Sequence, residues 1–232
     1  LNLYFITLII SLLLGCLFCY LGYHHSKNIS FSDQIMFIVL SFIYIPLLIS
    51  IPYFLSIYNI GLLDSYFESV SGITTTGFSI IENIKKIDDP LLLWRSSSQW
   101  LGGLLLLIAI IGTIGSRQSK IKPIFLVSEE PSGRNFYKNF NNNFIKILLI
   151  YFFSTIIVIV LYRTANIRLF DAFNLAFTTI SSGGFIPTNS LSSILNNNLQ
   201  IFVVSISLLF PIFNFYLFFN IFTKQFKLRN HQ

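Results

Sequence analysis

The chain has 232 residues, of which 54% are hydrophobic, 17% aromatic and only 10% charged. A soluble domain of this length has no interior large enough for so much apolar surface, which excludes a cytosolic enzyme, a disordered chain and a nucleic-acid binder. The formal charge of +6 then reads as the inward-facing positive charge of a membrane protein.

Five apolar runs reach the length of about 20 residues that crosses a bilayer: 3–23, 36–58, 91–115, 144–162 and 199–222. The first has no basic residue ahead of it and no small-residue cleavage site behind it, so it reads as a span and not a leader. Cys16 and Cys19 lie within it without a His or carboxylate neighbour and read as packing residues. A polar loop follows (His24 to Gln34). Then come a mixed stretch (Gly61 to Pro90), a basic loop (Ser116 to Asn143) and a second mixed stretch (Arg163 to Leu199).

The mixed stretches carry the organisation of the chain. Gly61 to Ser71 and Leu169 to Ile180 are apolar but too short to span, and each leads into a Ser/Thr/Gly run. A short helix that enters the membrane partway and returns as extended backbone has this pattern, which is tolerated only beside a wet cavity or inside protein. Shifted by 107 residues, Asp64 to Phe78 falls on Asp171 to Phe185 without a gap. Asp64, Ile73, Gly77 and Phe78 coincide with Asp171, Ile180, Gly184 and Phe185. Because an apolar run stands before and after each copy, the chain is expected to hold an internal repeat. The fold class is an all-α integral membrane protein: about five transmembrane helices plus two re-entrant pore helices, in two helix–pore loop–helix repeats. The expected division is a leading helix and loop (1–34), a first repeat (35–116), a basic linker (117–143), a second repeat (144–222) and a tail (223–232).

Ten Lys and Arg fall on one side of this arrangement and five on the other, while six of the nine acidic residues fall on the side poorer in Lys and Arg. The basic side is expected to be cytoplasmic, so both re-entrant segments enter from outside and the N-terminus lies outside. Those six acidic residues, Glu68 among them, would then mark the outer face where cations approach.

Thr74-Thr75-Thr76-Gly77 and Ser181-Ser182-Gly183-Gly184 are the candidate ion-binding residues. Extended strands around an axis present rings of carbonyl oxygens that replace the hydration shell of a monovalent cation. Glycine is required where the dihedrals forbid a side chain. The preceding short helix turns its partly negative C-terminal end inward, which favours a cation.

The segments Phe67-Glu68-Ser69-Val70-Ser71-Gly72-Ile73-Thr74-Thr75-Thr76-Gly77, Leu93-Trp94-Arg95-Ser96-Ser97-Ser98-Gln99-Trp100-Leu101-Gly102-Gly103 and Phe173 to Phe185 resemble the Trk/Ktr/HKT superfamily of potassium transporters, most closely its TrkH-type membrane subunit. The resemblance implies one filter strand and one key glycine per repeat, here Gly77 and Gly184. It implies K+ as the transported ion with no cofactor, and a leaning to K+ because sodium-selective plant relatives often carry Ser at the first filter glycine. It also implies location in the cytoplasmic membrane, a dimeric membrane subunit and a cytoplasmic nucleotide-binding regulatory subunit. The basic loop 116–143 and the tail 224–232 face the side that such a subunit would need, although positive-inside topology alone also accounts for them. Arg95 reads as an interfacial, snorkelling side chain, with a place near the filter mouth as the alternative. Trp94 and Trp100 read as belt and packing residues, and Gly102-Gly103 as a site of close helix approach.

The superfamily carries four repeats and this sequence shows two, so it looks like the front half of such a transporter. After Gly103 it runs Leu104-Leu105 where the family usually has Met-Gly. Three readings stay open: a half-transporter completed by a second chain carrying the other repeats, a homodimeric two-repeat cation channel, and a non-conducting remnant or modulatory subunit. Enzyme chemistry has no support: His24 and His25 are adjacent on a loop, and no nucleophile or metal-ligand spacing is visible. The partners expected are therefore a completing chain, lipid and the regulatory subunit, with no nucleic acid.

Overall fold

In lipid every backbone N–H and C=O must be satisfied within its own segment, so apolar runs of this length fold as helices. The computed structural model describes residues 2–23, 31–56, 58–114, 133–209 and 211. Its order is α1 (Asn2–Tyr23), α2 (Phe31–Phe54), α3 (Leu62–Ile73), α4 (Asp89–Ile114), α5 (Gly133–Thr164), α6 (Leu169–Ser181) and α7 (Asn198–Ser207). There is no strand among the described residues, and the protein is an all-helical integral membrane protein. α1, α2, α4 and α5 each hold a stretch long and apolar enough to cross a membrane, whereas α3 and α6, of 12 and 13 residues, do not.

Two boundaries differ from the sequence expectation. α5 begins at Gly133 and not near 144, because its polar opening turns extend the helix beyond the apolar stretch Ile147–Thr164. At 1.5 Å per residue, its 32 residues run roughly 48 Å, well beyond the hydrocarbon thickness. α7 ends at Ser207, and of the remainder of the run 199–222 all but residues 208, 209 and 211 lies outside the described residues. So do most of the basic loop 116–143 and the tail 223–232.

Packing follows the order of the chain. α2, α3 and α4 enclose one core built on Ile49, Tyr53, Ile73, Leu91 and Leu92. α5, α6 and α7 enclose another built on Tyr151, Val158, Tyr162, Leu175, Ile180 and Val204. α4 belongs to both: Trp94 and Leu105 pack on the first core, Trp100, Leu104 and Leu107 on the second. Its two indoles act as struts. Trp94 Nε1 donates to the Ile49 carbonyl of α2 at 3.1 Å. Trp100 Nε1 donates to Thr155 Oγ1 of α5 at 2.9 Å, while Tyr151 Oη donates to the Trp100 carbonyl at 2.8 Å. Tyr162 Oη, fully buried, joins α5 to Thr179 of α6 and Ser207 of α7 at 2.8 and 2.6 Å. α1 leaves most of its apolar side chains open to lipid, with Cys16 and Cys19 on that exposed surface.

The glycine pair of α4 permits this double packing. A Cβ at Gly102 would collide with the Ile73 carbonyl at the end of α3, and one at Gly103 would press on Ser181 at the end of α6. Gly102→Ala is therefore expected to lower the thermal midpoint of the detergent-solubilised protein, by the equivalent of about 1–3 kcal/mol for an overpacked contact. An unchanged midpoint in a fluorescence melt would contradict this close approach.

Candidate functional site

The two short helices end in the same way, with two cap hydrogen bonds in common. In the first, the Thr75 N–H donates to the Gly72 carbonyl and the Thr76 N–H to the Ser71 carbonyl, at 2.9 and 3.0 Å. In the second, the Ser182 N–H donates to Thr179 and the Gly183 N–H to Thr178, at 3.2 and 2.8 Å. Each residue in the second set is 107 positions after its counterpart. Thr75 and Ser182 both turn left-handed, with φ of 55° and 56°, and two residues later Gly77 and Gly184 do so again, with φ of 82° and 85°. Left-handed backbone is rare for a β-branched residue such as Thr75, and this kind of strain clusters at functional sites.

These turns bring the two loops together. A Cβ at Gly77 would strike the Gly183 carbonyl oxygen and approach the Gly184 Cα, so both loops pass backbone to backbone at their glycines. The eight candidate residues are not equally placed around that contact. Thr74 and Thr76 are exposed and share a hydroxyl hydrogen bond of 2.7 Å, while Thr75 and Gly77 are half-buried. Ser182 and Gly184 are exposed, whereas Ser181 and Gly183 are buried. The Ser181 hydroxyl turns back to the Phe177 carbonyl at 2.8 Å, within its own helix.

Behind the first loop lies a buried ion pair. Arg95 of α4 reaches Glu68 of α3 through both Nε and Nη2, each 2.8 Å from Oε1, and the two side chains are 1% and 0% exposed. The Ser79 hydroxyl donates to Glu68 at 2.9 Å and accepts from Arg95 Nη2 at 3.0 Å. Glu68 Oε2 also accepts the Ile80 N–H at 3.2 Å, and Ser71 Oγ donates to the Phe78 carbonyl at 2.5 Å. The same guanidinium stacks over the Phe185 ring of the second loop, 4.3 Å from its centroid. Arg95 is thus not interfacial: a guanidinium with a carboxylate, a hydroxyl and an aromatic face around it gains nothing by snorkelling. Glu68 is likewise removed from the outer face, where the sequence placed it among the cation-drawing acids. Glu82, Asp88 and Asp89, after the first loop, are exposed.

Behind the second loop lies Gln99, one helical turn beyond Arg95 and fully buried. Its Nε2 donates to the Gly183 carbonyl at 2.7 Å, and its Oε1 accepts from Thr178 Oγ1 at 2.8 Å and from the Phe185 N–H at 3.0 Å. Ser96 of α4 also meets Asn174 of α6, at 2.5 Å. Sequence reasoning gave Glu68 and Gln99 no supporting role. The available signal was that Glu68 lies past the first turn of a short apolar helix, beyond the favourable N-terminal place taken by Asp64, and that its counterpart 107 residues on is Leu175.

Either half of the ion pair alone would strand a buried charge, a penalty of about 3–5 kcal/mol. Glu68→Leu and Arg95→Met are each expected to remove most monodisperse protein from a detergent extract, read by size-exclusion chromatography. The double variant is expected to recover much of that loss, and recovery no greater than either single variant would refute the pairing.

A family model described as "TrkH: Cation transport protein" matches residues 2–231. The Trk system potassium uptake protein TrkG of Escherichia coli K12 is 28% identical over 229 residues, covering 96% of this chain and 46% of that protein. An uncharacterized cation transporter of Methanocaldococcus jannaschii is 29% identical over 163 residues, covering 70% of this chain and 34% of that protein. The chain thus spans less than half the length of these relatives. The crystal structure of the potassium transporter TrkH from Vibrio parahaemolyticus shares the fold, with a TM-score of 0.69 at 22% identity, over 96% of this chain and 45% of that one.

Proposed function

The chain belongs to the TrkH family of cation transport proteins, and on that premise we propose that it forms part of a potassium-uptake pathway through the cytoplasmic membrane. The reading is carried by one observation: two loops with the same left-handed turns meet backbone to backbone at Gly77 and Gly184. In this reading Thr74, Thr75, Thr76, Gly77, Ser181, Ser182, Gly183 and Gly184 line the narrow part of the path, and backbone carbonyls replace the water around K+. α3 and α6 are the pore helices. Each directs its C-terminal end, with its partial negative charge, toward the loop that binds the cation. Glu68 cancels the Arg95 charge, so the ion meets no net positive charge behind the first loop.

The helix–loop–helix units are α2–α3–α4 and α5–α6–α7, corresponding to the expected repeats 35–116 and 144–222 with α2 and α5 beginning earlier, at Phe31 and Gly133. Two strands make half a ring. Thr74, Thr76 and Phe78 are the open side of the first strand, and Phe78 is 71% exposed where its counterpart Phe185 is 3% exposed. Two further units, in whatever polypeptide carries them, close the ring against that side. The relative named above as a Trk potassium uptake protein supports K+ as the cargo, and a cytoplasmic nucleotide-binding subunit would dock on the basic inner face.

The test is rubidium uptake by potassium-starved cells that lack their own uptake systems and make this chain together with a polypeptide carrying two further units. Uptake is expected, and Gly77→Asp and Gly184→Asp are each expected to reduce it roughly tenfold or more, because a side chain at these left-handed positions costs at least 1–3 kcal/mol. Uptake that both substitutions leave unchanged, with the protein present in the membrane fraction, would refute the reading.

A further inference from the structure

The two strands are held by different means. Every tie on the first comes from the first unit itself: Ser71, Glu68, Ser79 and Arg95. The second strand is tied across units, by Gln99 of α4. Gly183 can only accept through its carbonyl and Phe185 can only donate through its N–H, so these partners fix which end of the Gln99 amide is oxygen and which is nitrogen. One planar group therefore holds the peptide groups on both sides of Gly184, and Thr178 of α6 locks its oxygen from below. Gly183 completes the fit. Its φ is not left-handed, yet a Cβ there would collide with the Gln99 amide, so glycine is needed for space and not for conformation. The matching position of the first strand is Thr76, which is exposed and has no such amide beside it.

We propose that Gln99 is a specificity-determining positioning residue: from the first unit it sets the carbonyl spacing of the second filter strand around Gly184, and with it the preference for K+ over Na+. The inference rests on the potassium-pathway reading and names the part of the first unit that tunes the second. Gln99 does not touch the ion. It fixes where the Gly183 and Gly184 backbone can go, and a spacing set by a buried amide with three hydrogen bonds resists collapse onto a smaller cation. Neighbouring Arg95, stacked on Phe185, limits the same segment from the other side.

The experiment is thermal unfolding of the full chain purified in detergent together with the polypeptide carrying two further units, titrated with KCl and separately with NaCl at constant ionic strength. The wild-type complex is expected to be stabilised at lower K+ than Na+ concentration. Gln99→Glu, equal in size but without the donor, is expected to raise the K+ half-point roughly tenfold, the equivalent of one lost buried hydrogen bond, and to erase most of the K+/Na+ difference. Thr178→Val, which only unlocks the amide oxygen, is expected to shift the ratio in the same sense by less, and keeps the test available if Gln99→Glu does not fold. Gln200→Leu is the structural control: Gln200 is also buried and holds the Ala165 carbonyl and the Asn196 N–H, away from the loops. It is expected to lower the ion-free midpoint and leave the ratio alone. A wild-type ratio in Gln99→Glu and in Thr178→Val, or an equal loss of ratio in Gln200→Leu, overturns the role of Gln99 alone. A wild-type complex with the completing polypeptide that responds to neither ion overturns the potassium-pathway reading as well.

Discussion

Non-helical backbone at membrane depth must have its polar groups satisfied, and the rest of this molecule is arranged around that requirement. The two loops after α3 and α6 leave the helical ladder, so their N–H and C=O groups need other partners. The last turns of α3 and α6 supply many of them, and α4 adds support from behind. α4 reaches the first loop through Arg95 and the second through Gln99, one turn apart on the same face. Its indoles fasten it to α2 and α5, and its glycines let the ends of α3 and α6 come close enough to be reached. Without that close approach neither side chain would span the gap.

The use of a charge pair in one place and a neutral amide in the other has a physical consequence. A buried ion pair is costly to desolvate and is retained only when its remaining hydrogen-bonding capacity is filled. Here Ser79 and the Ile80 N–H fill the carboxylate, and Ser79 and the Phe185 ring take up the guanidinium. The pair is neutral overall, so it can stiffen the first loop without placing a net charge behind it. An unpaired arginine at that position could not.

Much of this was legible in the sequence. The helical runs follow from length and hydropathy, and the register of 107 residues paired Thr75 with Ser182 and Gly77 with Gly184, although the left-handed turns at Thr75 and Ser182 stand where extended backbone was expected. The repeat is visible because identical backbone geometry demands small or hydroxyl residues at the same offsets, as at Thr75/Ser182 and Gly77/Gly184. What backs the loops was not legible, because the repeat does not share it. Glu68 is matched by Leu175 and Thr76 by Gly183, so the internal comparison shows these positions only as mismatches and says nothing of what they contact. Arg95 at the start of an apolar run has the same local signature whether it snorkels or pairs with an acid 27 residues earlier. Hydropathy also places the start of a helix poorly when polar turns continue it, as in α5.

The shared caps and the unshared backing together define what kind of symmetry this is. The cap bonds are local, made within five residues, so a duplicated segment keeps them by copying its own sequence. The ties behind each loop reach across helices, and their partners depend on which unit stands next to which. The first strand has exposed Phe78 and Thr76 where the second has Phe185 and Gly183 pressed against α4. A strand that leans on the neighbouring unit needs a gap for the neighbour's side chain, and Gly183 is that gap. The two loops are therefore alike in how they turn and unlike in what holds them. Any further strand placed beside the first would have to bring its own support or supply a helix that does for Phe78 what α4 does for Phe185.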